Sequence, residues 1–275
     1  MANITAADVN KLRQITGSGM MDCKNALVES NGDIEAAIDI LRKKGQKVAN
    51  KRADRDANEG IVMAETTPDR AFGAVIMLNC ETDFVAKNEE FQKLAKDIMA
   101  LAISQKPASL EDMKNLKIDG YTVAENIMNM VGKTGEKMDL NHYHFIESPA
   151  VYAYNHQGNR LATIMGFNKA GFDELGRELC MQAAAMAPIA IDKDDVTQDT
   201  IDKEIEIGMD QARQEGKAEE MLEKIAVGKL QKFFKENTLL NQDFIRDTKI
   251  TVRDYVAKHD KDLKINAFNR VMLGA

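Results

Sequence analysis

Cysteine is scarce in this sequence. Cys23, Cys80 and Cys180 are odd in number and far apart, which excludes a disulfide framework and a clustered-thiolate zinc site. The pattern suits a reducing compartment, and the expected location is the cytoplasm. Glycine, at 17 residues, and proline, at four, are too few for a collagen-like or low-complexity chain. Long apolar runs are missing, since charge interrupts every apolar stretch, so no membrane span is expected. Residues 1–15, MANITAADVNKLRQI, lack a basic start followed by an apolar run, and no secretory signal is expected. Positive charge is not in excess either. A net charge of −7 disfavours general nucleic-acid binding, which needs a basic face to neutralise phosphates.

What is present describes a globular chain. The 275 residues are 44% apolar and 29% charged, enough for two or three domains with cores of their own. The charge is unevenly spread. RKKGQKVANKRADR at 42–55 holds seven basic residues and one acid, read as a solvated helix and linker or as a local RNA-facing patch. Residues 192–223 hold twelve acids against four basic residues, a strongly acidic arm.

The first 45 residues read as three short helices. Thr5 with Asp8 forms a capping box ahead of Val9, Leu12 and Ile15 at helical spacing. Gly17 and Gly19 break that helix, and a second runs through Cys23, Ala26 and Leu27. After the Asn31-Gly32 turn, Asp33 caps a third with Ile34, Ala37, Ile38 and Leu41 on one face, expected to stop at Gly45. A bundle this small has no room for an enclosed pocket and reads as a docking module.

GIVMAE at 60–65 and FGAVIMLN at 72–79 read as strands joined around Pro68-Asp69. Phe91, Leu94, Ala95, Ile98 and Ala102 then form a helical stripe that closes near Pro107. The pattern recurs: VYAYN at 151–155 and RLATIMGF at 160–167 form a second hairpin with Gly158 in its turn. Phe172, Leu175, Leu179, Ala183 and Met186 form the next helical face. The expected fold class is therefore α+β, built on an internal duplication of a hairpin-plus-helix unit. Counted from Val75 to Phe91 and from Thr163 to Phe172, the first unit carries about seven extra residues between strand and helix, within NCETDFVAKNEE at 79–90. Connections on a rigid scaffold commonly carry function. Thr82 or Asp83 caps a short helix there, with Phe84 in its first turn. Phe84 either packs into its own core or protrudes as an interface wedge. The acidic region reads as a helical hairpin, Ile201, Ile205 and Met209 leading to a turn near Gly216 and Met221, Leu222 and Ile225 resuming. The segment 239–256 is expected to cover the second unit.

Catalytic motifs are weak. VGKTGEK at 131–137 contains Gly-Lys-Thr, but a phosphate loop needs glycine where Ile127 stands. GSG at 17–19 lies between helices, where a dinucleotide loop follows a strand. His142 and His144 share a face of a strand, with no third metal ligand, since Glu147 would point to the opposite face. No serine or cysteine has a histidine and carboxylate at recognisable spacing, and nothing selects a carboxylate pair for glycoside chemistry. No cofactor, metal or covalent chemistry is expected.

Three long segments carry a family resemblance. KLRQITGSGMMDCKNALVESNGDIEAAIDILRKKG at 11–45, NCETDFVAKNEEF at 79–91 and GKLQKFFKENTLLNQDFIRD at 228–247 resemble, in order, the signatures of bacterial and organellar elongation factor Ts. The likeness runs from residue 3 to about 273, and its departures, Asn79 and the LLNQDF wording, leave Thr82-Asp83-Phe84-Val85 intact. The resemblance implies a ubiquitin-associated-like module at 1–45, a basic linker at 46–59 and a core subdomain at 60–140. It further implies a second subdomain at 141–195 and 229–262, a coiled-coil hairpin at 196–228 inserted in it, and a C-terminal module at 263–275. It implies a partner, the translational GTPase elongation factor Tu, whose magnesium site the segment Thr82, Asp83, Phe84 and Val85 disturbs so that GDP leaves. Arg13, Met20, Met21, Cys80 and His156 are implied as partner contacts, although Gln157 lengthens the turn that carries His156. A one-to-one and a two-to-two complex both remain open. Two other classes stay open: a non-catalytic adaptor of a translation or chaperone complex, which explains the small module and acidic arm equally well, and an unrecognised hydrolase, which would need a concave cluster of perturbed carboxylates or histidines.

Overall fold

The computed structural model describes residues 4–274. The first three residues of the expected 1–45 module and Ala275 of the expected C-terminal module lie outside them. The helices α1 (Ala6–Thr16), α2 (Met20–Glu29) and α3 (Ile34–Lys51) come first. The hairpin β1 (Glu59–Thr66) and β2 (Phe72–Cys80) follows, then α4 (Asp83–Ala86), α5 (Glu89–Gln105) and α6 (Leu110–Asn115). The first half ends with β3 (Lys117–Ile118), β4 (Tyr121–Thr122), α7 (Val123–Thr134) and β5 (Met138–Glu147). The second half contains β6 (Ala150–Asn155), β7 (Leu161–Phe167), α8 (Asp173–Met186), α9 (Gln198–Gln214) and α10 (Glu219–Asn237). It closes with β8 (Asp243–Phe244), β9 (Asp247–Thr251), α11 (Val252–His259) and β10 (Ile265–Met272). None of the helices among the described residues is long and apolar enough to cross a membrane.

Local chemistry sets the helix ends. Thr5 and Asp8 form the expected reciprocal capping box, and Gly17, at φ 63°, supplies the left-handed residue that ends α1. Asp33 caps α3 through the N–H of Ala36. α3 does not stop at Gly45, as the sequence suggests, but runs six residues further, to Lys51. Gly45 is buried within the helix, where a Cβ would come within 2.8 Å of the Met128 carbonyl and 3.4 Å of the Gly132 Cα of α7. The glycine serves a close helix crossing instead of a C-cap. Residues 46–51 are thus helical, and the connecting segment is shorter than the 46–59 linker.

The duplication is visible in the sheets. β1 and β2 pair antiparallel, and β5 pairs antiparallel with the other edge of β2. β6 and β7 repeat the hairpin, and β10 takes the place of β5 beside β7. Each unit is thus a hairpin, a helix and a returning third strand. The returning strands alter two expected boundaries. β5 continues through residue 140, so the first unit extends to Glu147, and β10 completes the second sheet instead of forming a separate module at 263–275.

The sheets pack face to face. Val62, Ala64, Val75, Met77 and Ile146 of the first meet Val151, Ala162, Ile164 and Val271 of the second. The other face of β2 sends Phe72, Ala74, Ile76, Leu78 and Cys80 into a core with α5 and α7. Covered on both faces, β2 is buried at every position, which explains its unbroken apolar reading. α8 covers the second sheet with Leu175, Leu179 and Ala183, while Met186 falls outside the buried stripe at 44% exposed. β8, β9 and α11 complete that core through Phe244, Val252 and Val256, as 239–256 was expected to do. Phe172 is the N-cap residue of α8, whereas Phe91 lies inside α5, so the two are not equivalent. The connections are residues 81–88 and 168–172, a smaller difference than the seven residues the sequence spacing suggests.

Helices α9 and α10 pair with each other across a turn at residues 215–218, with Gly216 at φ 75°. The hairpin reaches Asn237, not 228, because Leu230 and Phe234 carry the apolar seam onto Ala190 and Val196 at its base. Gly208 lets the helices approach, since a Cβ there would lie 3.0 Å from the Ala226 Cα.

Candidate partner-binding site

The connection after β2 turns at Thr82, which is the N-cap of α4: its hydroxyl accepts the Val85 N–H. The capping geometry directs the next residues outward. Phe84 is 81% exposed, so the reading in which it packs into its own core is overturned. Val85 and Ala86, by contrast, pack on the core of the first unit and fix α4 from below. Asp83 pairs with Lys87 one turn on, at 2.6 Å. The hydrogen bond from Lys87 holds the Asp83 carboxyl below the usual carboxylate range, so it is ionised at neutral pH. Phe84 is the most exposed of the large apolar side chains among the described residues.

The platform under Phe84 is rigid. Cys80 is fully buried, and its Sγ lies 3.2 Å from the Thr82 carbonyl, to which it donates. Burial, with the charges of Glu136 and Glu59 nearby, pushes its thiol up to about 12. The Cys80 side chain is therefore covered in this structure and lies beneath the Thr82–Val85 segment, not on its exposed side. Arg52 grips both oxygens of Glu81, at 2.7 and 2.9 Å, and the Lys137 N–H donates to the same carboxylate at 2.6 Å. Burial opposes ionisation of Glu81, but the Lys137 N–H and Arg52 outweigh it and hold the carboxyl below its ordinary range.

His156 lies at the same end of the molecule. It is exposed in the β6–β7 turn, and its Nδ1 is 2.9 Å from the Tyr154 hydroxyl. That turn is docked on β1: Val62 N–H donates to the Asn159 carbonyl at 2.8 Å, and Arg160 pairs with Glu59, which faces Cys80 across the hairpin. Asp83 is near enough to raise the pKa of Arg160 further, after Glu59. Gln157 thus lengthens the turn without detaching it.

Arg13, Met20 and Met21 lie on the N-terminal helices and are exposed, the methionines at 56% and 62%. Ile15 and Val28 are exposed beside them in sequence, on a module that buries Leu12, Cys23 and Leu27. The module is fastened to the first unit by the α3–α7 crossing, where Arg42 stacks on Tyr121 at 4.3 Å. A groove of about 410 Å³ runs between them, past Ile15, Gly17, Glu90 and Lys133.

The weak motifs resolve structurally. Gly132, Lys133 and Thr134 end α7, and Gly135, at φ 76°, is its C-cap. A phosphate loop needs a helix N-terminus at that point, so no phosphate site exists there. His142 and His144 do share a face of β5, ring nitrogens 3.4 Å apart, but among the described residues no third His, Cys, Asp or Glu joins them. Sequence reasoning missed Glu136. Its carboxylate accepts the Thr82 N–H at 3.1 Å and the Thr82 hydroxyl at 2.7 Å, across 54 positions of sequence. Its only sequence signal was its place in VGKTGEK, set aside with the phosphate-loop reading.

Known proteins are similar in sequence to this chain along its whole length. A family model described as Elongation factor TS matches residues 81–275, from the base of the Phe84 segment to the end. The elongation factor Ts of Amoebophilus asiaticus is 50% identical over 275 residues, covering 99% of each chain. That of Christiangramia forsetii is 50% identical over 276 residues and covers both chains completely. A relative from Bacteroides thetaiotaomicron, also called elongation factor Ts, is 40% identical, with 99% of each chain aligned. With a family model over most of its length and half its residues shared end to end, the chain belongs to the elongation factor Ts family.

Proposed function

We propose that this protein is a guanine-nucleotide exchange factor of translation elongation. It binds the GDP form of elongation factor Tu and promotes GDP release, so that GTP can enter. The single observation that carries the mechanism is Phe84, an aromatic ring held in water on a short capped helix whose base is buried. Family membership supplies the partner, and the ring supplies the means.

The reading requires no covalent chemistry from this chain. GDP is retained partly through magnesium and the groups that order it, and losing that ion leaves phosphate charge uncompensated. Phe84 enters the partner as a wedge and displaces the residues that hold the metal. Ionised Asp83, at the N-terminus of α4 and braced by Lys87, fixes the approach of the wedge. Arg13, Met20, Met21 and His156 hold the partner while the wedge acts. Binding and release are then coupled: if the factor weakens nucleotide binding, nucleotide weakens factor binding by the same ratio. A thousandfold coupling corresponds to about 4 kcal/mol, within the reach of an interface of ordinary size.

The test is stopped-flow release of a fluorescent GDP from elongation factor Tu with this protein titrated in at saturating magnesium. Release accelerates with factor concentration and reaches a plateau. Complex formation with unchanged release would replace this reading by the adaptor.

A further inference from the structure

We infer that Glu136 is a positioning residue for exchange: it sets the attitude of the Phe84 wedge by gripping the N-cap of α4. The inference rests on the wedge reading above and adds a residue outside the Thr82–Val85 segment, brought to it only by folding.

A four-residue helix has almost no stability of its own, because nucleating a turn costs more than one or two hydrogen bonds return. The direction of α4 is therefore set by tertiary contacts: Val85 and Ala86 packed on the core beneath it, and whatever holds its N-cap. Thr82 has two groups to satisfy, its N–H and its hydroxyl proton, and the two oxygens of Glu136 take one each. With its proton committed to Glu136, the hydroxyl keeps its lone pair turned to the Val85 N–H, which is the cap itself. Glu136, Thr82 and Val85 form one chain of hydrogen bonds, and Phe84 stands between the last two links.

The segment that carries Glu136 is tied to everything around the wedge. Gly135 ends α7 in a left-handed turn, aiming residues 136 and 137 at the connection after β2. Lys137 donates its N–H to Glu81 and its ammonium to the carbonyls of Ala53 and Arg55, at 2.6 and 2.9 Å. On the other side Lys133 pairs with Glu90 in the first turn of α5. Lys133 also lies against Gly17, where a Cβ would approach its Nζ to 2.6 Å. Residues 133–137 thus touch the N-terminal module with one residue and the wedge with another. This is the role of VGKTGEK in the fold: its lysine faces the docking module and its glutamate holds the tool.

A positioning role predicts a particular kinetic signature. Glu136→Ala frees the Thr82 hydroxyl and N–H, so the plateau rate of GDP release falls about tenfold or more. The factor concentration giving half the plateau stays within about twofold, because Arg13, Met20 and Met21 are untouched. Glu136→Gln keeps an oxygen for the Thr82 N–H and offers its NH₂ to the hydroxyl oxygen, and it recovers most of the rate. In a cycle with Phe84→Ala, the double variant is no slower than Phe84→Ala alone, since a misaimed wedge and an absent one are equivalent. Thermal midpoints measured alongside identify loss of fold, and Thr82→Val, which removes only the hydroxyl, repeats the test from the other partner. If Phe84→Ala slows release while Glu136→Ala does not, the positioning role is wrong and the wedge stands. A shift confined to the half-saturating concentration, or effects that simply multiply in the double variant, would also overturn it. If Phe84→Ala itself leaves release unchanged, the wedge reading fails first.

Discussion

Replacing Phe84 by alanine tests function with little effect on folding. The ring is 81% exposed, so its removal takes almost nothing from the free protein. Surface substitutions of this kind change stability by about 0.5 kcal/mol or less. The gain from burying a phenylalanine in a partner is about 2 kcal/mol, in the range of an interface hot spot. At 1.36 kcal/mol per factor of ten, that is roughly a thirtyfold effect. Where it shows depends on when the ring inserts. If it enters only as nucleotide leaves, the plateau rate of release falls about thirtyfold and the half-saturating concentration is kept. If it is inserted before release begins, the concentration dependence shifts instead. Stopped-flow release of fluorescent GDP over a range of factor concentrations distinguishes the two, with thermal denaturation as the control. Phe84→Leu, which keeps much of the apolar volume, lies between alanine and the parent. A correctly folded Phe84→Ala protein whose release curve matches the parent within twofold at every concentration would refute the wedge.

Other parts of the molecule give independent tests. All three cysteines are buried, and Cys80 and Cys180 have thiols pushed up to about 12 by burial. At pH 8 none reacts with a thiol reagent within minutes in the native protein, and all three react in guanidinium chloride. A raised thiol pKa favours the folded state fully below the ordinary value near 9, and that contribution is lost as pH rises toward 12. The thermal midpoint should therefore fall on the alkaline side of pH 9. Gly176→Ala would place a Cβ 2.3 Å from ring atoms of the buried Tyr152, and overpacking of this kind costs about 1–3 kcal/mol, read as a lower melting temperature. Deleting residues 208–226 and rejoining the stems by a short turn keeps Leu230 and Phe234 on Ala190 and Val196, so the melting temperature changes by less than about 4 °C. A large loss there would show that the outer hairpin supports the core.

Much of this architecture was legible in the sequence, for reasons that differ by element. The stripe Phe91, Leu94, Ala95, Ile98 and Ala102 proved wholly buried because one helix face against one sheet is a strictly local pattern. The capping box at Thr5 is equally local. Boundaries failed where the deciding contact was distant. Gly45 looks like a helix stop in isolation, and only Gly132 across the crossing shows otherwise. The third strands were missed as partners because β5 and β10 join their sheets from 58 or more residues beyond the strands they pair with. At the candidate site, the sequence left the exposure of Phe84 undecided, since nothing in a four-residue helix reveals which side is covered. Glu136 was invisible for the same reason that it matters: its partner is 54 residues away. Cys80, implied as a partner contact by its place in a motif, has a buried side chain.

The burial of β2 on both faces has a mechanical consequence. A ring that pries apart another protein must be pushed back by an equal force, and a tip on a compliant loop would bend before its target moved. On the wedge proposal the recoil would pass from α4 into Cys80, the end of a strand packed against the second sheet on one face and against α5 and α7 on the other. Close-packed interiors compress little. A strand buried at every position stands directly behind exposed Phe84, so on the proposed reading strain at the contact would accumulate in the partner.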